Sequence, residues 1–327
     1  MKKIINDPNE VVQEMTDGMA AAHPDKLQQL PETTVIARKD APAANKVGIV
    51  SGGGSGHEPA HAGYVGKGML DAAVPGEVFT SPTPDQIFEA IKAVDGGAGV
   101  FLIVKNYTGD VLNFEMAAEL AEAEDIKVEK VVVKDDVAVD EVSSRRGIAG
   151  TILVHKIAGA KAEQGGSLEE VKAAAEKAVA NVRSMGMALT PCTVPAAGKP
   201  SFELAENEME IGIGIHGESG IERKDITSAD DIAKELTDKV MSDFDFSDAD
   251  VAVMVNGLGS TPEMELYIVN KKVQTVLSEN GINVYKTFVG EYMTSLEMAG
   301  CSVTLLKLDD ELKQLLDEPS NALAFHK

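Results

Sequence analysis

Three short segments combine reactive side chains with glycines that let a small molecule come close. The first is Ser51-Gly-Gly-Gly-Ser-Gly-His-Glu-Pro59, in which four of nine residues are glycine. It follows the apolar run Val47–Val50, so the pattern predicts a strand, a loop over Ser51–His57, and a helix from Glu58. That places His57 at the carboxyl end of a strand, where open α/β sheets bind their ligands. A tight turn before a helix is the plainer reading, but such a turn does not require four glycines. The loop lacks the GK[ST] ending of a Walker A motif and does not spell GxGxxG.

The second segment is Lys105-Asn-Tyr-Thr-Gly-Asp110, between the apolar strand Gly99–Val104 and a helix over Val111–Glu124. Asp110 reads as the N-cap of that helix. A carboxylate there is also placed to accept a proton from a ligand hydroxyl. Lys105 beside it suits an oxygen atom or an acidic partner. The third segment is Ile211-Gly-Ile-Gly-Ile-His-Gly217, which contains GxGxxG. Its period-two alternation argues a strand over Ile211–His216 with one bare face, and Glu218-Ser-Gly-Ile is a poor helix start. A dinucleotide site is therefore rejected. From spacing alone His216 reads rather as a core histidine satisfied by its neighbours. Asn256-Gly-Leu-Gly-Ser-Thr-Pro262 is a further loop whose amides suit an anion, or simply a turn capped by Thr261. Arg145-Arg146 is a basic pair in an acidic chain, suited to a structural role or to holding another subunit.

The elements that must position these residues alternate between strand and helix. Glu77-Val-Phe reads as a strand, and Thr83-Pro84-Asp85-Gln86 as a helix start with Pro at the first helical position. Lys127–Lys134 is a further strand, Ile148–Ala162 a helix, and Ser167-Leu-Glu-Glu170 the capping box of a helix ending near Arg183. A Pro-rich break, Thr190–Pro200, places a division near residues 184–200. The second half has a helix over Ala229–Ser242, a strand over Asp250–Val255 and a helix over Glu263–Glu279. Strands over Ile282–Phe288 and Ser302–Leu308 precede a last helix near Asp310–Leu316. The expectation is two α/β domains, each a sheet flanked by helices, over residues 1–184 and 185–327.

Composition sets the outer limits. The chain has 327 residues, 44% hydrophobic and 25% charged, as in globular proteins with a sizeable core. Its 53 acidic and 30 basic residues give a net charge of −23, which disfavours nucleic acid and anionic lipid as partners. Two distant cysteines, Cys192 and Cys301, form no CxxC pattern and no disulfide framework. The start, MKKIINDPNEVV, has no apolar signal segment, and no apolar run is long enough to span a bilayer. The expected location is the cytoplasm, with no metal site on this chain.

Taken in order, these motifs resemble the dihydroxyacetone kinase K-domain family. The resemblance rests on Ser51–Pro59 with His61-Ala-Gly-Tyr-Val-Gly66, Gly76-Glu-Val-Phe-Thr-Ser-Pro-Thr-Pro84, and Val104–Asp110. It rests also on Arg146-Gly-Ile-Ala-Gly-Thr151, Gly214-Ile-His-Gly-Glu218 and Asn256-Gly-Leu-Gly259. It runs nearly end to end, and it implies two α/β domains and a homodimer. By that resemblance, His216 bonds covalently to the carbonyl carbon of dihydroxyacetone as a hemiaminal, with His57 and Asp110 as the acid/base pair. Gly54, Ser55, Gly56, Ser81 and Lys105 are then substrate contacts. The resemblance further implies a phosphotransferase-system arrangement. In it this chain carries no cofactor, a partner L subunit holds ADP or ATP with Mg²⁺, and an M subunit recharges the nucleotide. A dihydroxyacetone-sensing co-activator of transcription is the alternative within the family. Ser219 stands where the family often has proline.

Overall fold

The computed structural model describes residues 2–326. The first half runs α1 (Val11–Ala22), β1 (Leu27–Gln29), β2 (Ile36–Arg38), β3 (Gly48–Ser55), β4 (Ala72–Val78), α2 (Pro84–Val94), β5 (Val100–Lys105), α3 (Thr108–Ala123) and β6 (Val128–Val133). Helices α4 (Thr151–Glu163) and α5 (Leu168–Asn181) follow. The second half runs β7 (Val182–Ala188), β8 (Glu208–Ile211), β9 (Glu222–Asp225), α6 (Ala229–Asp243), β10 (Asp250–Gly257), α7 (Glu263–Glu279), β11 (Asn283–Gly290), β12 (Gly300–Leu308) and α8 (Asp310–Asp317).

The strands form two six-stranded sheets, ordered β1-β2-β4-β3-β5-β6 and β11-β10-β12-β7-β8-β9. The expected fold class, two sheets flanked by helices, is what the chain adopts. In the first sheet β4, β3, β5 and β6 are parallel. The chain leaves β3 toward β4 on one side and leaves β5 toward β6 on the other. The carboxyl ends of β3 and β5 therefore open a crevice at a topological switch point. The second sheet is antiparallel except for β10 with β11.

One apolar core joins the halves. It takes Phe101 and Ile103 from β5, Ile152, Leu153 and Ile157 from α4, Ala174 and Ala178 from α5, and Met254 and Leu306 from the second sheet. Helix α4 is buried along almost its whole length, which explains its lack of a polar face. Each large aliphatic or aromatic side chain buried this way contributes about 1.5–3 kcal/mol.

Several local expectations need correction. Strand β3 continues through the glycines to Ser55 instead of ending at Val50. Its glycines fit because neighbouring groups crowd their α-carbons: a side chain on Gly52 would strike the Val74 carbonyl. No α-helix starts at Glu58; a single 3₁₀ turn, Ala62–Tyr64, stands there. Asp110 is not an N-cap. Helix α3 starts at Thr108, three residues earlier than expected, with Tyr107 at the N-cap, and Asp110 sits in its first turn. Strand β8 ends at Ile211, because Gly212 turns to φ 78°, so His216 rides on a loop and not on a strand. Helix α4 starts at Thr151, after Asp135 has taken the amides of Ile148 and Gly150, each at 2.8 Å.

Candidate active site

The loop after β8 folds back on itself to hold one imidazole. The Glu218 carboxylate accepts from His216 Nδ1 at 2.8 Å and from the His216 amide at 2.9 Å. Burial alone would raise the Glu218 pKa, but its bonds and proximity to His216 hold it at about 2. An ionised carboxylate only accepts, so Nδ1 is the donor of this bond, and in the neutral ring it is Nε2 that keeps a lone pair. The fold needs glycine at 214 for this: a Cβ there would lie 2.0 Å from Glu218 Oε2.

Three aromatic rings frame that imidazole. Tyr107, His57 and Phe79 stand edge-on to it, with centroids at 4.6, 4.8 and 5.2 Å. His57 is fully buried. Its Nδ1 lies 2.7 Å from the Thr294 carbonyl, which can only accept, so its Nε2 also keeps a lone pair. That Nε2 is buried without a protein partner. Burial first, then Lys105 and His216, push the His57 pKa well below its usual value, so the ring is neutral at pH 7.

Lys105 ends β5 with its side chain wholly buried, and its Nζ lies 3.9 Å from Asp110 Oδ2. Burial lowers its pKa, against the pull of Asp110 and Glu218. The ammonium makes no hydrogen bond within the protein, so it has donors to offer. Gly53 on β3 lets the strand pass over this pair: a Cβ at Gly53 would come 2.8 Å from Lys105 Nζ. Gly54 faces the backbone of Phe79 and Thr80 in the same way, and Ser81 Oγ lies against Gly109 at the start of α3.

The structure thus gathers His216, His57, Lys105, Asp110, Gly54 and Ser81 into one region where the two halves meet. Ser55 is turned aside, its hydroxyl donating to the Gly76 carbonyl at 2.7 Å. Gly56 donates its amide to the Glu58 carboxylate and accepts from Leu296. Chain from the second half closes the crevice. Thr294 binds His57 through both backbone groups, and Tyr64 donates to the Tyr292 carbonyl.

Sequence reasoning missed Glu218 as the partner of His216, along with Tyr107, Phe79 and Thr294. Glu218 lies two residues from His216, a spacing that lets a loop close on its own histidine. The other three carry no signal, because only the folded chain brings them near. The Asn256–Pro262 loop proves structural. Asn256 is bonded to Met293, Tyr292 and Ser302, and the amides of Leu258 and Ser260 are taken by backbone carbonyls. The Arg145-Arg146 pair also turns inward, to Asp243 and Asp136 respectively. His61 and His155 lie close enough to Lys105 to feel its charge, and both are buried with unpartnered ring nitrogens, as is the Thr151 hydroxyl. Among the described residues no cluster of His, Cys, Asp and Glu is placed to hold a metal, and no helix is long and apolar enough to cross a membrane.

Comparison with known proteins gives this crevice a family. The chain is 58% identical over 315 residues to the PTS-dependent dihydroxyacetone kinase 1, dihydroxyacetone-binding subunit DhaK, of Listeria innocua serovar 6a, covering 95% of each chain. The structure of the dihydroxyacetone kinase operon co-activator Dha-DhaQ superposes with a TM-score of 0.92 at 40% identity, over 98% of this chain and 99% of that one. The dihydroxyacetone kinase of C. freundii gives 0.94 at 37% identity, over 99% of this chain but 60% of that one. The Dak1 domain matches residues 17–324, and the chain belongs to the Dak1 family.

Proposed function

We propose that this chain is the dihydroxyacetone-binding subunit of a phosphotransferase-system-dependent dihydroxyacetone kinase. The observation that carries the reading is the Glu218–His216 pair, which commits Nδ1 to the carboxylate and leaves Nε2 to react, with the His57 ring 4.8 Å away and the Lys105–Asp110 pair on the β5–α3 turn that also carries Tyr107. In the proposed reaction the Nε2 lone pair forms a bond to the ketone carbon as the C=O π pair moves to oxygen. The oxygen takes a proton from the Lys105 ammonium, which burial makes a readier donor than an exposed lysine. The ring keeps its Nδ1 proton, and the ionised Glu218 carboxylate balances the positive charge that the alkylated imidazole gains. His57, expected with Asp110 as the acid/base pair, takes only the base's part here: Nδ1 donates to the Thr294 carbonyl, so Nε2 offers a lone pair to the new hydroxyl and the acid's part falls to Lys105. Fixing the ketone this way removes much of the entropic barrier to the next step, and it excludes glycerol, which has no carbonyl.

Asp110 then takes the proton of a primary hydroxyl as its oxygen attacks the terminal phosphorus of ATP; the bond from that phosphorus to the bridging oxygen breaks, ADP leaves, and dihydroxyacetone phosphate forms. The nucleotide and its Mg²⁺ belong in this reading to a partner L subunit, recharged through an M subunit. The sequence spells no Walker A motif. Residues 1–184 supply the acid/base groups and 185–327 the covalent histidine. The chain works in the cytoplasm as a homodimer. Exposed Leu112, Met116 and Leu120, four apart on α3, offer apolar surface for a protein partner.

A second reading is a dihydroxyacetone sensor, favoured by the likeness to the co-activator structure. Identity is higher to the kinase subunit, and a sensor has no use for Asp110 as a base. The experiment is a phosphorylation assay with purified L and M subunits, with phosphoenolpyruvate and the phosphotransferase-system proteins that pass its phosphoryl group to M as the donor. The proposal expects dihydroxyacetone phosphate only when all three are present, and no binding of ATP or ADP to this chain alone at micromolar concentration. Normal ligand capture without turnover would favour the sensor.

A further inference from the structure

Arg146 reaches from the first half of the chain to the loop that carries His216. Its Nε donates to Asp136 Oδ2 at 2.8 Å, and its Nη2 lies 2.7 Å from the same oxygen. Nη2 also donates to the Gly212 carbonyl at 2.8 Å, at the root of the loop. The remaining nitrogen, Nη1, faces the bare α-carbon of Gly214. A Cβ there would lie 2.6 Å from Arg146 Nη1 and 2.0 Å from Glu218 Oε2, so the two groups flank the same point. The pair is sequestered, with 12% of the Arg146 side chain and 1% of Asp136 exposed. Asp136 is itself fixed, its other oxygen taking the Ala138 amide at 3.0 Å.

The origin of these groups gives the contact its meaning. Asp136 and Arg146 lie on the connection between β6 and α4, directly after the sheet that supplies Lys105. Gly212, Gly214 and Glu218 lie on the loop between β8 and β9 of the other sheet. One guanidinium therefore ties the loop bearing the nucleophile to the half bearing the acid/base groups. Lysine cannot replace it, because a single ammonium lacks the planar fork that serves a carboxylate and a carbonyl together.

We infer that Arg146 is a positioning residue: it holds the 212–218 loop in the register that turns the Glu218-bound imidazole toward His57 and Asp110. This rests on the proposed role of His216. The test is Arg146→Lys in the full chain, with Arg145→Lys as control, since Arg145 makes a comparable fork to Asp243 away from the site. Two readouts are taken. The first is the His216 ring tautomer, from ¹⁵N-histidine NMR without ligand. The second is dihydroxyacetone capture, with transfer rate at saturating ligand measured alongside. Losing one charge-assisted hydrogen bond corresponds to about tenfold. The expected result for Arg146→Lys is a mixed His216 tautomer and capture weakened about tenfold, with transfer at saturation within about threefold of the parent. Arg145→Lys leaves both readouts unchanged. An unmoved His216 signal in Arg146→Lys, or equal changes in Arg145→Lys, overturns the inference. If the parent protein fails to capture the ketone, the reading of His216 as nucleophile falls, and the NMR arm still decides the role of Arg146. Should Arg146→Lys not fold, Asp136→Asn loosens the same fork and is read in the same two ways.

Discussion

Replacing Glu218 with glutamine separates the charge of the His216 partner from its shape. The carboxylate accepts from His216 Nδ1 at 2.8 Å and from the His216 amide at 2.9 Å. The backbone bond is made before and after ketone addition, so it largely cancels from the capture equilibrium. The ring bond does not cancel, because the imidazole gains positive character as Nε2 is substituted. A hydrogen bond to a charged acceptor contributes about 1.5–3 kcal/mol and a neutral one about 0.5–1.5 kcal/mol. The difference, roughly 1–1.5 kcal/mol, is about tenfold in capture. Glutamine can also turn its amide and donate to Nδ1, which moves the ring proton to Nε2 and removes the nucleophilic lone pair. A wrong histidine tautomer of this kind costs up to about ten-thousandfold in a hydrolytic triad, so the expected loss lies between those limits. The Glu218 side chain is 35% exposed, so its ion pair is screened and the fold is expected to survive. Capture is read by NMR with dihydroxyacetone labelled with ¹³C at the carbonyl, and folding by circular dichroism. Undiminished capture in folded Glu218→Gln would refute the claim that this carboxylate sets the lone pair.

Three further outcomes are expected. Asp110→Asn still captures dihydroxyacetone within about threefold but loses about a hundredfold to ten-thousandfold in phosphoryl transfer, measured with L and M subunits supplied. It is also destabilised, because the variant leaves the buried Lys105 ammonium without that carboxylate; no capping bond is lost, since Asp110 caps nothing. Gly214→Ala drives a methyl onto Glu218 and weakens capture, whereas Gly18→Ala, with open space around it in α1, raises stability by about 0.5–1 kcal/mol in urea titration. Acidification destabilises the fold through His155, whose pKa is pushed to about 3 by burial and by Lys105. The unfolded ring binds a proton near pH 6.5 and the folded one does not, so its stabilisation is complete above pH 6.5 and declines below it. The slope approaches 1.4 kcal/mol per pH unit, or about 2 kcal/mol lost by pH 5. His155→Phe should show a shallower slope in urea titrations, and an unchanged slope would exclude His155 as the source.

Much of this arrangement is legible in the sequence, for reasons that differ by residue. Apolar runs such as Gly99–Val104 and Asp250–Val255, and the capping box at Ser167, are local signals and mark β5, β10 and α5 closely. Strand β3 runs past its apolar residues because its glycines face the Val74 and Phe79 backbone, a tertiary fact with no local trace. The 211–216 alternation imitates a strand, yet Gly212 takes a positive φ and the loop is shaped by Glu218 and Arg146. His57 and Asp110 stand out as reactive types beside glycine. Tyr107, Phe79 and Thr294 do not, because an aromatic or a threonine is ordinary anywhere in a core. Short β1 and β2, at three residues each, are too brief for periodicity to register.

The most direct test of the account is the state of the ketone carbon on the enzyme. Dihydroxyacetone labelled with ¹³C at the carbonyl is added to the full chain, and the bound signal is compared with that of His216→Ala. The account predicts that the bound carbon moves from the carbonyl to the tetrahedral region of the spectrum in the parent protein, and that no such signal forms in His216→Ala. A bound ligand whose carbon stays in the carbonyl region, or a tetrahedral signal of equal size in His216→Ala, would contradict it.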